Sequence, residues 1–310
     1  MTKKHTLEDH LAALHALRAA PITEDTLAQL RKALGDRNNH IAAAAAEIIG
    51  EAELADLEPD LVATFATFMR RPDKTDPGCQ AKIAIANALR VCECPAEDVF
   101  LQGVHHVQME PVWGGQVDTA APLRGACALG LVQMRSRHAL LELAHLLADP
   151  ESDARIAAAR ALAYTSDPAS VPLLHFKVLT GDAQVAVLYE CFLSLLKLDT
   201  ETSLPFVAGY LKSTDPAIAE SAALALGESR QESAFAVLRD AWEDTFDAEL
   251  RRTLLLALAT LRSGAAIDYL LDIVRDEARV HADAALAALR MYQRDETIWR
   301  RVEKALAARD

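Results

Sequence analysis

DPAIAESAALALG, residues 215–227, is the stretch whose reading decides the fold. Asp215 and Pro216 make a turn and start a helix: an Asp side chain accepts from orphan amide N–H groups, and Pro suits the first helical position. Behind them Ile218, Ala222, Ala223, Ala225 and Leu226 fall at helical spacing, so one face is flat and built of small residues. Gly227 is the expected left-handed stop. One helix cannot bury such a face alone; it needs neighbours of its own kind.

The chain supplies them. With Leu226 as the key position, apolar equivalents recur at Ile49, Leu89, Leu129, Leu162, Leu193, Leu226, Leu258 and Leu289, separated by 40, 40, 33, 31, 33, 32 and 31 residues. The same frame surrounds them, with Ile41, Ala45, Ala46 and Gly50 in the first copy and Leu254, Leu255 and Ala257 in the seventh. Between key helices runs a second apolar pattern, such as Val171, Leu174 and Val178 or Ile267, Leu270, Leu271 and Val274. Each unit therefore reads as a helical hairpin, and the chain as an all-α, right-handed α-solenoid of about eight hairpins with capping helices at its ends.

These residues resemble the HEAT-repeat family, in particular the short bacterial HEAT-like units of bilin lyases, with a pattern near D-P-x-V-R-x-x-A-A-x-A-L-G. The match is strongest over 149–292. Ala154 and Arg155 take the V-R places of the fourth copy, followed by Ala158, Ala159, Ala161 and Leu162, while Asp247, Leu250, Arg251 and Leu258 serve in the seventh. The sixth copy departs from the pattern, with Ala219 where the family usually has Arg. The resemblance implies an architecture used for many tasks rather than one activity.

Composition agrees. The hydrophobic share is 51% but aromatics are only 5%, as expected of Ala/Leu helix packing, and no stretch reads as a strand. Lys and Arg number 32 against 45 Asp and Glu, a formal charge of −13, which opposes binding to nucleic acid or to an anionic membrane. Cys79, Cys92, Cys94, Cys127 and Cys191 read as reduced, packed thiols, and the spacing of Cys92-Glu93-Cys94 is neither a zinc knuckle nor a redox pair. No apolar run reads as a signal peptide or a bilayer span, so the cytoplasm is the expected location.

In order, residues 6–19 form an N-terminal capping helix. Residues 22–148 hold longer, less regular repeats, with Pro72, Asp73, Asp76, Pro77 and Gly78 expected as an exposed connection. A helix over 96–108, with Val99, Val104 and Val107 inward, leads to an inserted loop at 109–119. That loop carries Pro111, Trp113, Gly114 and Gly115, and is expected to be irregular, either a lid or a passive insertion. Residues 149–292 are regular repeats of 31–33 residues, and 295–308 form the C-terminal cap. The whole, 1–310, reads as a single solenoid.

Chemistry known on HEAT-like folds finds no foothold in these letters. Deoxyhypusine hydroxylases hold iron through His-Glu dipeptides, and none of the ten histidines here precedes Glu. His105 and His106 are adjacent, about 100° apart on a helix, and ill placed to share an ion. Arg and Lys on the key helices are nearly cancelled by Glu and Asp, unlike the basic groove of a HEAT-like DNA glycosylase. No P-loop, dinucleotide fingerprint or Ser-His-Asp order is present. No catalytic residue, metal or cofactor is assigned.

The position facing outward between the paired alanines and the key residue is occupied by Glu47, Asn87, Cys127, Arg160, Cys191, Leu224, Leu256 and Ala287. With Arg124 and Tyr164 one turn away and the Trp113 loop above, the partner-binding residues expected on the concave surface are Glu47, Asn87, Trp113, Arg124, Arg160 and Tyr164. Alternatively, the arginines tie repeats together through Asp153 or Glu190. The function expected is a non-catalytic protein-interaction scaffold. The alternative is a bilin-lyase-like accessory presenting a substrate protein, and nucleic-acid binding stands third.

Overall fold

The computed structural model describes residues 7–165 and 167–309, which fall into two compact units divided between residues 167 and 168. In the first, helices α1 (Leu7–Leu17), α2 (Glu24–Leu34), α3 (Asn39–Glu51), α4 (Glu58–Phe68), the single turn α5 (Pro72–Thr75), α6 (Gln80–Val91) and α7 (Glu97–Val104) precede strands β1 (Met109–Val112) and β2 (Gly115–Asp118); α8 (Ala121–Gln133), α9 (Ala139–Leu146) and α10 (Ser152–Leu162) follow. The key helices α3, α6, α8 and α10 pack successively on one another. Helices α2, α4, α7 and α9 back them, and α1 packs on α3; Thr6, where the capping helix was expected to begin, is outside the described residues.

The second unit repeats the plan. It contains α11 (Ser170–Thr180), α12 (Val185–Leu198), α13 (Thr200–Gly209), α14 (Pro216–Glu228), α15 (Ala234–Asp244), α16 (Ala248–Leu261), α17 (Gly264–Asp276), α18 (Arg279–Leu289) and α19 (Glu296–Ala307). Here α12, α14, α16 and α18 stack in turn, and the terminal α19 packs on α17. Each unit is thus a run of stacked helical hairpins, the all-α solenoid arrangement. The starts are as the sequence spells them: Asp215 accepts from the Ala217 N–H at 3.0 Å, and Asp247, Ser263 and Asp295 cap α16, α17 and α19 in the same way.

Two key positions shift. Leu129 and Leu193 are only half-buried, whereas Leu131 and Leu195, two residues on, are fully enclosed. The backbone agrees: the carbonyls of Ile49, Leu89 and Leu131 each accept an N–H from five residues later, at 3.0, 2.9 and 2.9 Å, which is the bond of a Schellman cap. Alternation of Leu with Ala and Cys along α8 and α12 left the sequence reading two residues out of register. As a result Cys127 and Cys191, expected to face outward, are buried, and Leu129 and Leu193 take their places on the outer ridge.

The helix stops differ as well. Gly227 lies inside α14 and is not left-handed; the left-handed residue is Arg230, with φ 54°. Four residues after the key position the same turn is made by Glu53, Glu93, Arg135 and Arg262, at φ between 52° and 58°. A side chain held there is strained relative to Gly. Arg230→Gly should therefore stabilise the protein by about 0.5–1 kcal/mol, read as a raised midpoint in urea unfolding. An unchanged or lowered midpoint would remove strain from the account of these stops.

Candidate interaction surface

Residues 109–119, expected to be irregular, form an antiparallel hairpin in which Met109 faces Asp118 and Val112 faces Gly115. Trp113 and Gly114 make its two-residue turn, with Gly114 at φ 89°, where only glycine sits without strain. Pro111 hid the strand from the sequence reading, because proline removes a ladder donor; at an edge that loss is tolerated. Helix α7 ends at Val104, so Val107, expected to point inward, is exposed.

The hairpin is clamped at its base by buried polar groups. Asp76, expected in an exposed connection, is fully buried and forms an ion pair with the equally buried Lys82 at 3.0 Å. Its carboxylate also takes the N–H groups of Ala81 and Lys82, at 2.9 and 3.0 Å, and the Asn39 amide at 3.0 Å, capping α6 and joining it to α3. From the hairpin side, the Gln108 amide donates to the Asp76 carbonyl at 2.9 Å and to Glu110, while its Oε1 accepts from the Cys79 thiol at 3.3 Å. Burial pushes that thiol up to about 11, so Cys79 stays protonated.

Two carboxylates close the clamp. Glu110 accepts from the Gly78 N–H at 2.7 Å and the Thr119 hydroxyl at 2.9 Å. Asp118 accepts from the N–H groups of Gln108 and Ala120, both at 2.9 Å, and from Arg124 at 2.7 Å. Burial alone would raise both carboxyls, but the converging donors outweigh it and hold each below its ordinary value. Burial lowers His106, despite its contact with Gln108 at 3.1 Å.

The six residues expected to bind a partner fall in four places. Arg124 is inside the clamp: it is buried, donates to Asp118, to Asp149 at 2.9 Å and to the His106 carbonyl at 2.8 Å, so its ion partners are Asp118 and Asp149 rather than Asp153 or Glu190. Glu47 and Asn87 line one groove between α3 and α6, of about 340 Å³, over a floor that includes Ala46, Gly50, Ala84 and Ala88. Arg160, near the end of α10, and Tyr164, just beyond it, are exposed. Trp113 stands at the hairpin tip with a relative exposure of 103%, beside the exposed Met109, Val112 and Val117. His105 and His106 diverge, the first meeting Glu142 at 3.0 Å.

Sequence reasoning missed Asp76, Lys82, Gln108, Glu110 and Asp118. A signal existed in Asp76, five and six residues ahead of the amides it caps, but an Asp-Pro-Gly turn ordinarily reads as solvent-exposed. Among the described residues, no group of three or more His, Cys, Asp or Glu is placed to hold a metal ion, and no helix is long and apolar enough to cross a membrane.

Residues 175–259 match the family profile of HEAT repeats. Over these residues the chain carries HEAT repeats. No curated protein matches it significantly. Solved structures similar to the chain include the CpcE–CpcF complex of phycocyanin lyase from Nostoc sp. PCC7120, at 18% identity over 94% of this chain and 97% of that one with a TM-score of 0.39. Human deoxyhypusine hydroxylase shares 17% identity over 94% and 92% with a TM-score of 0.33, and YibA of E. coli 14% over 94% and 99% with a TM-score of 0.47.

Proposed function

We propose that the protein is a non-catalytic scaffold that holds a partner protein on the outward ridge of its key helices, the concave side of the repeat array, with Trp113 as an anchor. The observation that carries this reading is the full exposure of Trp113 on a hairpin whose base is fixed by buried hydrogen bonds. An indole left in water gains most when a partner covers it, and Trp is enriched among the few residues that dominate interface energy. A hairpin already held in place loses little freedom on binding, which favours affinity.

The test is affinity purification from the native host with the wild-type chain and Trp113→Ala, followed by mass spectrometry. The variant should lose its specific partner by about tenfold or more, as expected for an anchor of roughly 2 kcal/mol. Its thermal midpoint should not move, since the ring packs against nothing that folding needs. Equal recovery of the partner would sink the role of Trp113. A coloured tetrapyrrole on the purified chain would favour the accessory-enzyme reading instead, and a steeply salt-dependent nucleic acid the third.

A further inference from the structure

The groove between α3 and α6 has features that fit one kind of side chain. Its floor is flat because the two helices touch: a methyl group added to Gly50 would lie 3.2 Å from the Ala88 Cα. Ile83 and Val91 extend the apolar surface, with Val91 38% exposed. Asn87 and Gln80, both on α6, add amides able to meet a peptide backbone. On the α3 rim, Glu47 and Glu51 stand one turn apart.

Those two carboxylates already hold a cation. Arg18, in the turn after α1, places its Nη2 3.0 Å from Glu47 and its Nε 3.2 Å from Glu51, so a single guanidinium bridges both. All three side chains are between about a third and about half exposed, at 37%, 53% and 55%, so the pairing is weak and the arginine can swing out without unfolding anything.

We propose that this groove receives an arginine- or lysine-bearing apolar segment of a partner protein, and that Arg18 occupies the cation seat in the isolated chain as an internal competitor. The proposal rests on the scaffold reading above and names the chemistry of the partner. Its support is charge complementarity: a chain of net charge −13 offers an apolar trough with paired carboxylates on its rim, and its own guanidinium demonstrates the fit.

The experiment uses the purified full chain and a fluorescein-labelled amphipathic helical peptide of Leu, Ala and Arg, with its Arg→Glu twin as control, in anisotropy titrations at low and moderate salt. Arg18→Ala should bind the basic peptide about threefold more tightly, the scale expected when a solvated ion pair no longer competes. Glu47→Gln/Glu51→Gln should bind about tenfold more weakly. Glu232→Gln/Glu303→Gln, which removes the same charge elsewhere, should change affinity by less than about twofold. The proposal is overturned if the distant pair weakens binding as much as the groove pair, if Arg18→Ala leaves affinity unchanged or lowers it, or if the acidic twin binds equally. No native partner enters this measurement, so its failure would leave the Trp113 purification result standing, and the converse holds.

Discussion

Asp76→Ala should destabilise the first unit by about 3–5 kcal/mol, because it strands the ammonium of Lys82 in a site with no exposure to water. The loss has several parts. The carboxylate accepts the N–H groups of Ala81 and Lys82 in the first turn of α6, and it also receives the Asn39 amide from α3. Each buried donor left without an acceptor adds its own desolvation penalty. Removing both charges, as in Asp76→Ala/Lys82→Met, should cost clearly less than the two single changes added together, since neither charge is then orphaned. Urea unfolding followed by circular dichroism measures all three variants. A single-variant loss below about 1 kcal/mol would mean that water reaches the pair, and the clamp would lose its central element. Because Gln108 bonds to the Asp76 backbone carbonyl, the hairpin should also loosen, visible as faster amide exchange at Gln108 and Thr119.

How much of this was legible in the letters depends on whether the signal was local and periodic. Ala222, Ala223, Ala225 and Leu226 specify a buried helix face by their spacing, and all four are fully enclosed. Asp215, Asp247 and Ser263 spell helix starts by their side-chain chemistry, and each caps as its residue type suggests. Periodicity alone failed where two frames both placed apolar residues well: along α8 and α12 a shift of two residues exchanges Leu129 for Leu131 and Leu193 for Leu195, and only the packing decides. The hairpin base was illegible for another reason. Asp76, Gln108, Glu110, Asp118 and Arg124 lie up to 48 residues apart, and nothing in a polar residue type tells whether distant partners will bury it. Of the expected surface, Glu47 and Asn87 share a groove because both occupy the same step of neighbouring repeats, whereas Arg124 sits where α8 begins and was drawn into the clamp by Asp118 and Asp149.

Gly227→Val should destabilise the second unit by about 2–3 kcal/mol, the upper range for overpacking a closed core. The reason is the neighbouring backbone. A methyl group at this position would lie 2.7 Å from the Ala257 Cα on α16, and a peptide chain cannot rotate away as a flexible side chain can. Small residues at Ala222, Ala223 and Ala225 bring α14 this close to its neighbours, and glycine is what the closest point demands. The control is Gly209→Ala at the end of α13, where nothing lies within 4 Å of the added methyl and φ is −58°. Relief of backbone entropy there should leave stability unchanged or raise it by up to about 1 kcal/mol. Chemical unfolding of the two variants side by side gives opposite signs if backbone contact sets the demand at Gly227. Equal small effects would show instead that α14 and α16 can separate freely, and that the flat alanine face does not hold the repeats at their spacing.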